Sequence, residues 1–144
     1  MSRIISCTFV VMLTVGTAPG EEPGKAVKEE LKLLAGEWKV VKCEHAGKEV
    51  ESSTIVKFTA DGKCTITNPG SGVPAIESTI VIDPTKKPKW MDVTNMKGRA
   101  DKGIYELNGD KLKAVFKLSG ERPTEFKTAE ETEVMYTYER VKPK

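Results

Sequence analysis

The spacing of hydrophobic and polar residues changes twice along this chain. From Ile4 to Val15 the residues are apolar apart from Ser6, Thr8 and Thr14, behind one positive charge at Arg3. Between Ala26 and Ala35 apolar residues fall at Val27, Leu31 and Leu34, the i, i+4, i+7 spacing of one helical face, and Gly36 ends the pattern. Beyond Gly36 the period is two. It predicts eight strands over 38–43, 54–59, 63–67, 76–82, 90–94, 103–107, 111–118 and 133–141. The cleanest alternation is 111–118, where Leu112, Ala114, Phe116 and Leu118 share one face and Lys111, Lys113, Val115 and Lys117 share the other.

The strands are separated by Ala46-Gly47, Asp61-Gly62, Asn68-Pro69-Gly70, Asp83-Pro84 and Asn108-Gly109-Asp110, residues that tolerate tight backbone geometry. Connections this short join antiparallel neighbours. The expected fold is therefore all-β: an eight-stranded antiparallel up-and-down barrel with one short N-terminal helix, since closing the sheet removes its exposed edges. A β-sandwich is the alternative, but it needs crossovers that these turns do not supply. In Trp38-Lys39-Val40-Val41-Lys42-Cys43 two adjacent valines break the alternation, and a bulge there keeps both Trp38 and Cys43 inward.

The first segment reads as a secretory signal over residues 1–20. Its apolar centre is shorter than the roughly 18 to 20 residues that span a bilayer, and Ala18-Pro19-Gly20 supplies a small-residue cleavage site. Cys7 in Ile4-Ile5-Ser6-Cys7 offers a lipoprotein anchor as an alternative, although it lies early for one. Residues 21–30 form a polar leader and the start of the helix, and residues 31–142 the barrel domain. The expected location is secreted or periplasmic, with no membrane attachment after cleavage. The formal charge of the whole chain is +2, spread in mixed runs, so no nucleic-acid partner is expected.

Cleavage leaves two cysteines, Cys43 and Cys64. In an oxidising compartment that count predicts a disulfide between them. A metal pair of Cys43 and His45 is the sharper alternative, but His45 is the single histidine and no third ligand is near in sequence, so no metal is expected.

At Gly36-Glu37-Trp38 the chain resembles the lipocalins, whose first strand opens with Gly-x-Trp after a short helix. Longer segments add to this: Gly36-Glu37-Trp38-Lys39-Val40-Val41, Ile82-Asp83-Pro84-Thr85-Lys86-Lys87-Pro88-Lys89, Gly103-Ile104-Tyr105-Glu106-Leu107-Asn108-Gly109-Asp110 and Glu121-Arg122-Pro123-Thr124-Glu125-Phe126. Together they resemble an uncharacterised lipocalin-like domain family found mostly in planctomycete bacteria, over about Leu31 to Arg140. The resemblance implies a lipocalin-like barrel with Gly36 and Trp38 as structural residues and a late arginine, Arg140, packed over Trp38. It implies no activity. Trp90 departs from the family pattern, which has a smaller residue there, and its parity opposite Met91 and Val93 puts the indole outside.

The usual parts of an active site are missing from the sequence: His45 falls beside a turn, and Glu130, Glu131 and Glu133 form a charge run of the solvated kind. No phosphate loop or dinucleotide fingerprint occurs, so neither catalysis nor a cofactor is expected. The most informative cluster is Tyr136, Tyr138 and Arg140, which share a strand face. Facing inward, they would grip the carboxylate of an apolar ligand, much as fatty-acid-binding proteins use an Arg and a Tyr near the last strand. The plainer reading has Arg140 sealing the barrel against Trp38 and the tyrosines filling the core. Arg122 reads either as a loop-fixing partner of Glu121 or Glu125 or as a ligand contact at the barrel mouth. The expected function is binding of a small, mainly apolar ligand in a pocket lined by Phe58, Phe116 and Tyr138. The alternative is a protein-interaction or inhibitor module that presents the loops around Trp90 and Arg122.

Overall fold

A computed structural model describes residues 23–142. The expected signal over 1–20 lies outside those residues. The chain opens with a helix, α1 (Pro23–Leu34). It starts three residues before the expected position: Pro23 suits a first helical turn, where its missing N–H has no intrahelical partner to lose. The stretch 23–25 is thus helix, not leader.

Nine strands follow: β1 (Gly36–His45), β2 (Lys48–Val50), β3 (Ile55–Phe58), β4 (Lys63–Thr67), β5 (Ile76–Asp83), β6 (Lys89–Asn95), β7 (Ala100–Asn108), β8 (Lys111–Lys117) and β9 (Glu133–Arg140). All pairings are antiparallel, and β1 closes the sheet by pairing with β9. Eight of the strands make the closed barrel that the alternation predicts. The extra strand, β2, is too short and polar to show a period. It forms a hairpin on the far half of β1, pairing at Cys43, Glu44 and His45, while β3 takes the near half from Gly36 to Lys39.

The β1–β9 register shifts between Val40 and Lys42, and the bulge leaves Val41 exposed while Trp38, Val40 and Cys43 all point inward. One core runs through the barrel, from Leu34 and Trp38 at the helix end to Phe116 and Tyr138. Val27 and Leu31 of α1 pack against it, so the helix closes that end of the barrel. Glu30 is carried into this closure with 8% exposure, and there it accepts hydrogen bonds from Lys89 Nζ at 2.7 Å and Tyr105 Oη at 3.0 Å.

A second, smaller core lies on the outer wall. Ile104, Val115 and Met135 face away from the barrel interior and are buried by the long connection between β8 and β9, through Phe126. Val115 was expected on the solvated face with the lysines. The connection folds back over it.

Candidate functional site

At the end of the barrel opposite α1 the interior opens into a cleft of about 210 Å³. Its apolar walls are Val56 and Phe58 from β3, Cys64 and Ile66 from β4, Val93 from β6 and Phe116 from β8. Leu118 just after β8 and Val134, Tyr136 and Tyr138 of β9 complete the apolar lining, and Thr54, Asn68 and Asp101 add polar atoms. The aromatic rings form a chain: Phe116 and Tyr136 centroids stand 6.4 Å apart, Tyr136 and Tyr138 5.7 Å. Gly103 lets this chain form. A Cβ there would stand 2.5 Å from the Phe116 ring and 2.7 Å from the Val115 carbonyl oxygen.

Burial pushes the Cys64 thiol up to about 12, so it is protonated at neutral pH. Burial also raises Tyr138 well above the usual phenol value. It raises Tyr136 as well, helped by nearby Cys43 and Asp101. Both phenols are therefore neutral hydroxyls. Tyr105, by contrast, spends its hydroxyl on Glu30 at the closed end.

Four of the expected ligand residues, Phe58, Phe116, Tyr136 and Tyr138, meet in this cleft. The two arginines do not. Arg140 shares the inward face of β9 but lies at the closed end, its guanidinium carbon 4.2 Å from the Trp38 ring centroid. It donates to the carbonyls of Ala35 at 2.8 Å and Leu33 at 2.6 Å, and Nε reaches Asp110 at 3.2 Å. The Trp38 indole donates to Leu34 O at 2.8 Å. Arg140 thus seals the last turn of α1 against the barrel, where helix carbonyls lack intrahelical partners. Gly36 is required beside it: its φ of 127° belongs to glycine, and a Cβ would meet Arg140 Nη1 at 3.0 Å.

Arg122 is on the outer wall. Its partner is neither Glu121 nor Glu125 but Asp92, gripped by both terminal nitrogens, with a further bond to Gly103 O at 2.7 Å. Its guanidinium lies 4.3 Å from the centroid of Trp90, which is outside as its parity predicts, and Lys86 Nζ stands 4.8 Å from the same ring. Glu125 pairs with Lys127 instead. This cluster fastens the long connection to the barrel wall.

The expected disulfide is absent: Cys43 and Cys64 are both free and buried. Cys43 sits opposite Tyr136 and Val50, and Cys64 opposite Phe58 and Ser78. Strand β3 pairs with β1 only from Gly36 to Lys39 and sets Cys64 level with Gly36, while Cys43 lies further along β1 beside β2. That offset along the strands exceeds the roughly 7 Å between Cα atoms that a disulfide tolerates.

The polar residues of the cleft were missed, Asp101 most consequentially. Its signal was present: carrying the parity of Tyr105 and Gly103 two residues back makes Asp101 inward, but the strand was expected to start at Gly103. Comparisons with protein-family models, with curated proteins and with solved structures find no match to this chain.

Proposed function

We propose that this chain is an exported, non-catalytic lipocalin-like module that holds a small, mainly apolar molecule in its barrel cleft. The observation that carries this reading is the cleft itself, an opening of about 210 Å³ with mostly apolar walls and a few polar groups gathered on its lining. A filled barrel would leave no such space. An apolar cavity of about 150 Å³ takes up benzene, so the volume suits a single ring or a short branched chain. A long-chain acid is too large for it.

The alternative of a protein-interaction module has less support. The residues it relied on, Trp90 and Arg122, are occupied with Asp92, Lys86 and the Gly103 carbonyl.

Native mass spectrometry of protein purified from its own host tests the reading. The expected result is a mature chain starting near residue 21 that carries a small organic adduct. A chain still beginning at Met1 would remove the export proposal. A ligand-free chain that also gives no thermal shift with single-ring compounds would remove the binding proposal.

A further inference from the structure

We propose that the cleft selects a small organic cation, an amine borne on one ring or a short branched hydrocarbon, with the Asp101 carboxylate as its counter-charge. The inference rests on the reading of the cleft as a ligand site.

Among the described residues, Asp101 is the one charged side chain that lines the cleft. The Asp101 side chain is 32% exposed, but its Oδ1 atom is buried and accepts no hydrogen bond among the described residues. An unsatisfied buried acceptor is costly, and a carboxylate oxygen more so than a neutral one. A donor arriving with a ligand relieves that cost. Asp101 forms an ion pair with Arg99, whose Nε stands 3.4 Å from Oδ1 without hydrogen-bond geometry. The Arg99 side chain is 60% exposed, and its hydrogen bond goes to the Leu118 carbonyl at 2.9 Å. It screens Asp101 from outside and leaves Oδ1 unsatisfied.

The surroundings favour a cation over the other charge states. Arg140 and Arg122, the groups suited to receive an acid, are committed elsewhere to backbone carbonyls and to Asp110 and Asp92. An acidic ligand would bring a second carboxylate beside Asp101, and like charges held close together repel. The rings of Phe116 and Tyr136 line the cleft, and a cation held over the π face of either is stabilised. The neutral hydroxyls of Tyr136 and Tyr138 add acceptor atoms, and the protonated Cys64 adds no charge. The remaining walls are apolar, which suits the hydrocarbon part of such an amine.

Benzylamine, benzyl alcohol and benzoate share one ring and nearly one volume while differing in charge, so NMR titration of the protein with each isolates the effect of charge. The expected order is benzylamine at least about tenfold tighter than benzyl alcohol, the scale of one charge-assisted hydrogen bond, with benzoate weakest. Asp101→Asn is expected to erase the advantage of benzylamine and leave benzyl alcohol unchanged. Arg99→Gln, at an exposed position, is expected to tighten benzylamine alone, and it decides the matter if the Asp101 variant does not fold. Benzyl alcohol or benzoate binding as tightly as benzylamine, or benzylamine affinity indifferent to these substitutions, overturns the amine inference while the cleft stands as a ligand site. No binding by any of the three overturns both.

Discussion

The guanidinium of Arg140 lies over the indole of Trp38, 4.2 Å from the ring centroid, with the two residues directly opposite in the pairing that closes the barrel. The same guanidinium holds the carbonyls of Leu33 and Ala35, so one side chain ties the end of α1, the first strand and the last. Arg140→Gln is expected to cost about 2 to 3 kcal/mol, the value of hydrogen bonds to a charged group together with a desolvated cation–π contact. Trp38, which is fully buried, should cost about 3 to 5 kcal/mol on truncation to Ala. Urea unfolding measures both. Unchanged stability in Arg140→Gln would mean that the closure does not depend on this contact.

Gly103→Ala probes the cleft from beneath. The new methyl would meet the Phe116 ring and the Val115 carbonyl closer than real Cβ contacts allow. Overpacking of this kind costs about 1 to 3 kcal/mol. Because Phe116 lines the cleft, the displaced ring should also weaken benzyl alcohol binding. An alanine variant with wild-type stability would show that the strands part there more easily than the register implies.

The thiols give a chemical readout. Cys43 and Cys64 are expected to stay unreactive towards a thiol reagent in the folded protein and to react together on unfolding, as buried free cysteines do. Mass spectrometry showing a disulfide in protein from the natural host would contradict the observed strand register.

Alkaline stability follows from the same burial. Cys64 has a folded value near 12 against an ordinary 9.0. Below about pH 9 both folded and unfolded chains keep that proton. Between about pH 9 and 12 only the folded chain keeps it, so stability falls by about 1.4 kcal/mol per pH unit for this group. Tyr138, Tyr136 and Cys43 are also raised and act in the same direction. Urea unfolding at pH 8, 10 and 11 should show a shallower decline in Cys64→Ala than in the wild type, whatever that substitution does at neutral pH. Parallel declines would place the lost stability elsewhere.

Arg122→Ala should loosen the long connection from the outer wall. The Asp92 pair and the Gly103 bond are lost together, at about 2 to 3 kcal/mol, and Trp90 loses the cation stacked on it. A change in Trp90 fluorescence, with dye binding at the uncovered Ile104, Val115 and Met135, is the expected signature. Benzyl alcohol affinity should hold, since Arg122 does not line the cleft.

Much of this molecule was legible from spacing alone, because period and turn chemistry are local properties of the chain. The helix stripe of Val27, Leu31 and Leu34, the inward parity of Trp38, Phe58, Phe116 and Tyr138, the bulge at Val40-Val41 and the outward Trp90 all follow from which residues share a face. Strand β2 was not legible, since Lys48, Glu49 and Val50 are too few to carry a period and it exists only because β1 outruns β3.

What only the tertiary structure decided is which face-sharing residues meet, and at which end of the barrel. Parity put Tyr136, Tyr138 and Arg140 on one face but was silent on height along it. The register then placed the tyrosines in the cleft and Arg140 at the closed end, where unpaired helix carbonyls claim its donors. Counting cysteines suggested a bond that the strand register forbids, because register is set by long-range pairing. Val115 looks solvent-facing by alternation and is buried because the distant Phe126 folds over it. Asp92 and Arg122, like Glu30 and Lys89, are far apart in sequence and touch only once the sheet has closed. Local spacing fixes which way a side chain points; closure fixes what it points at, since that depends on strands distant in the chain.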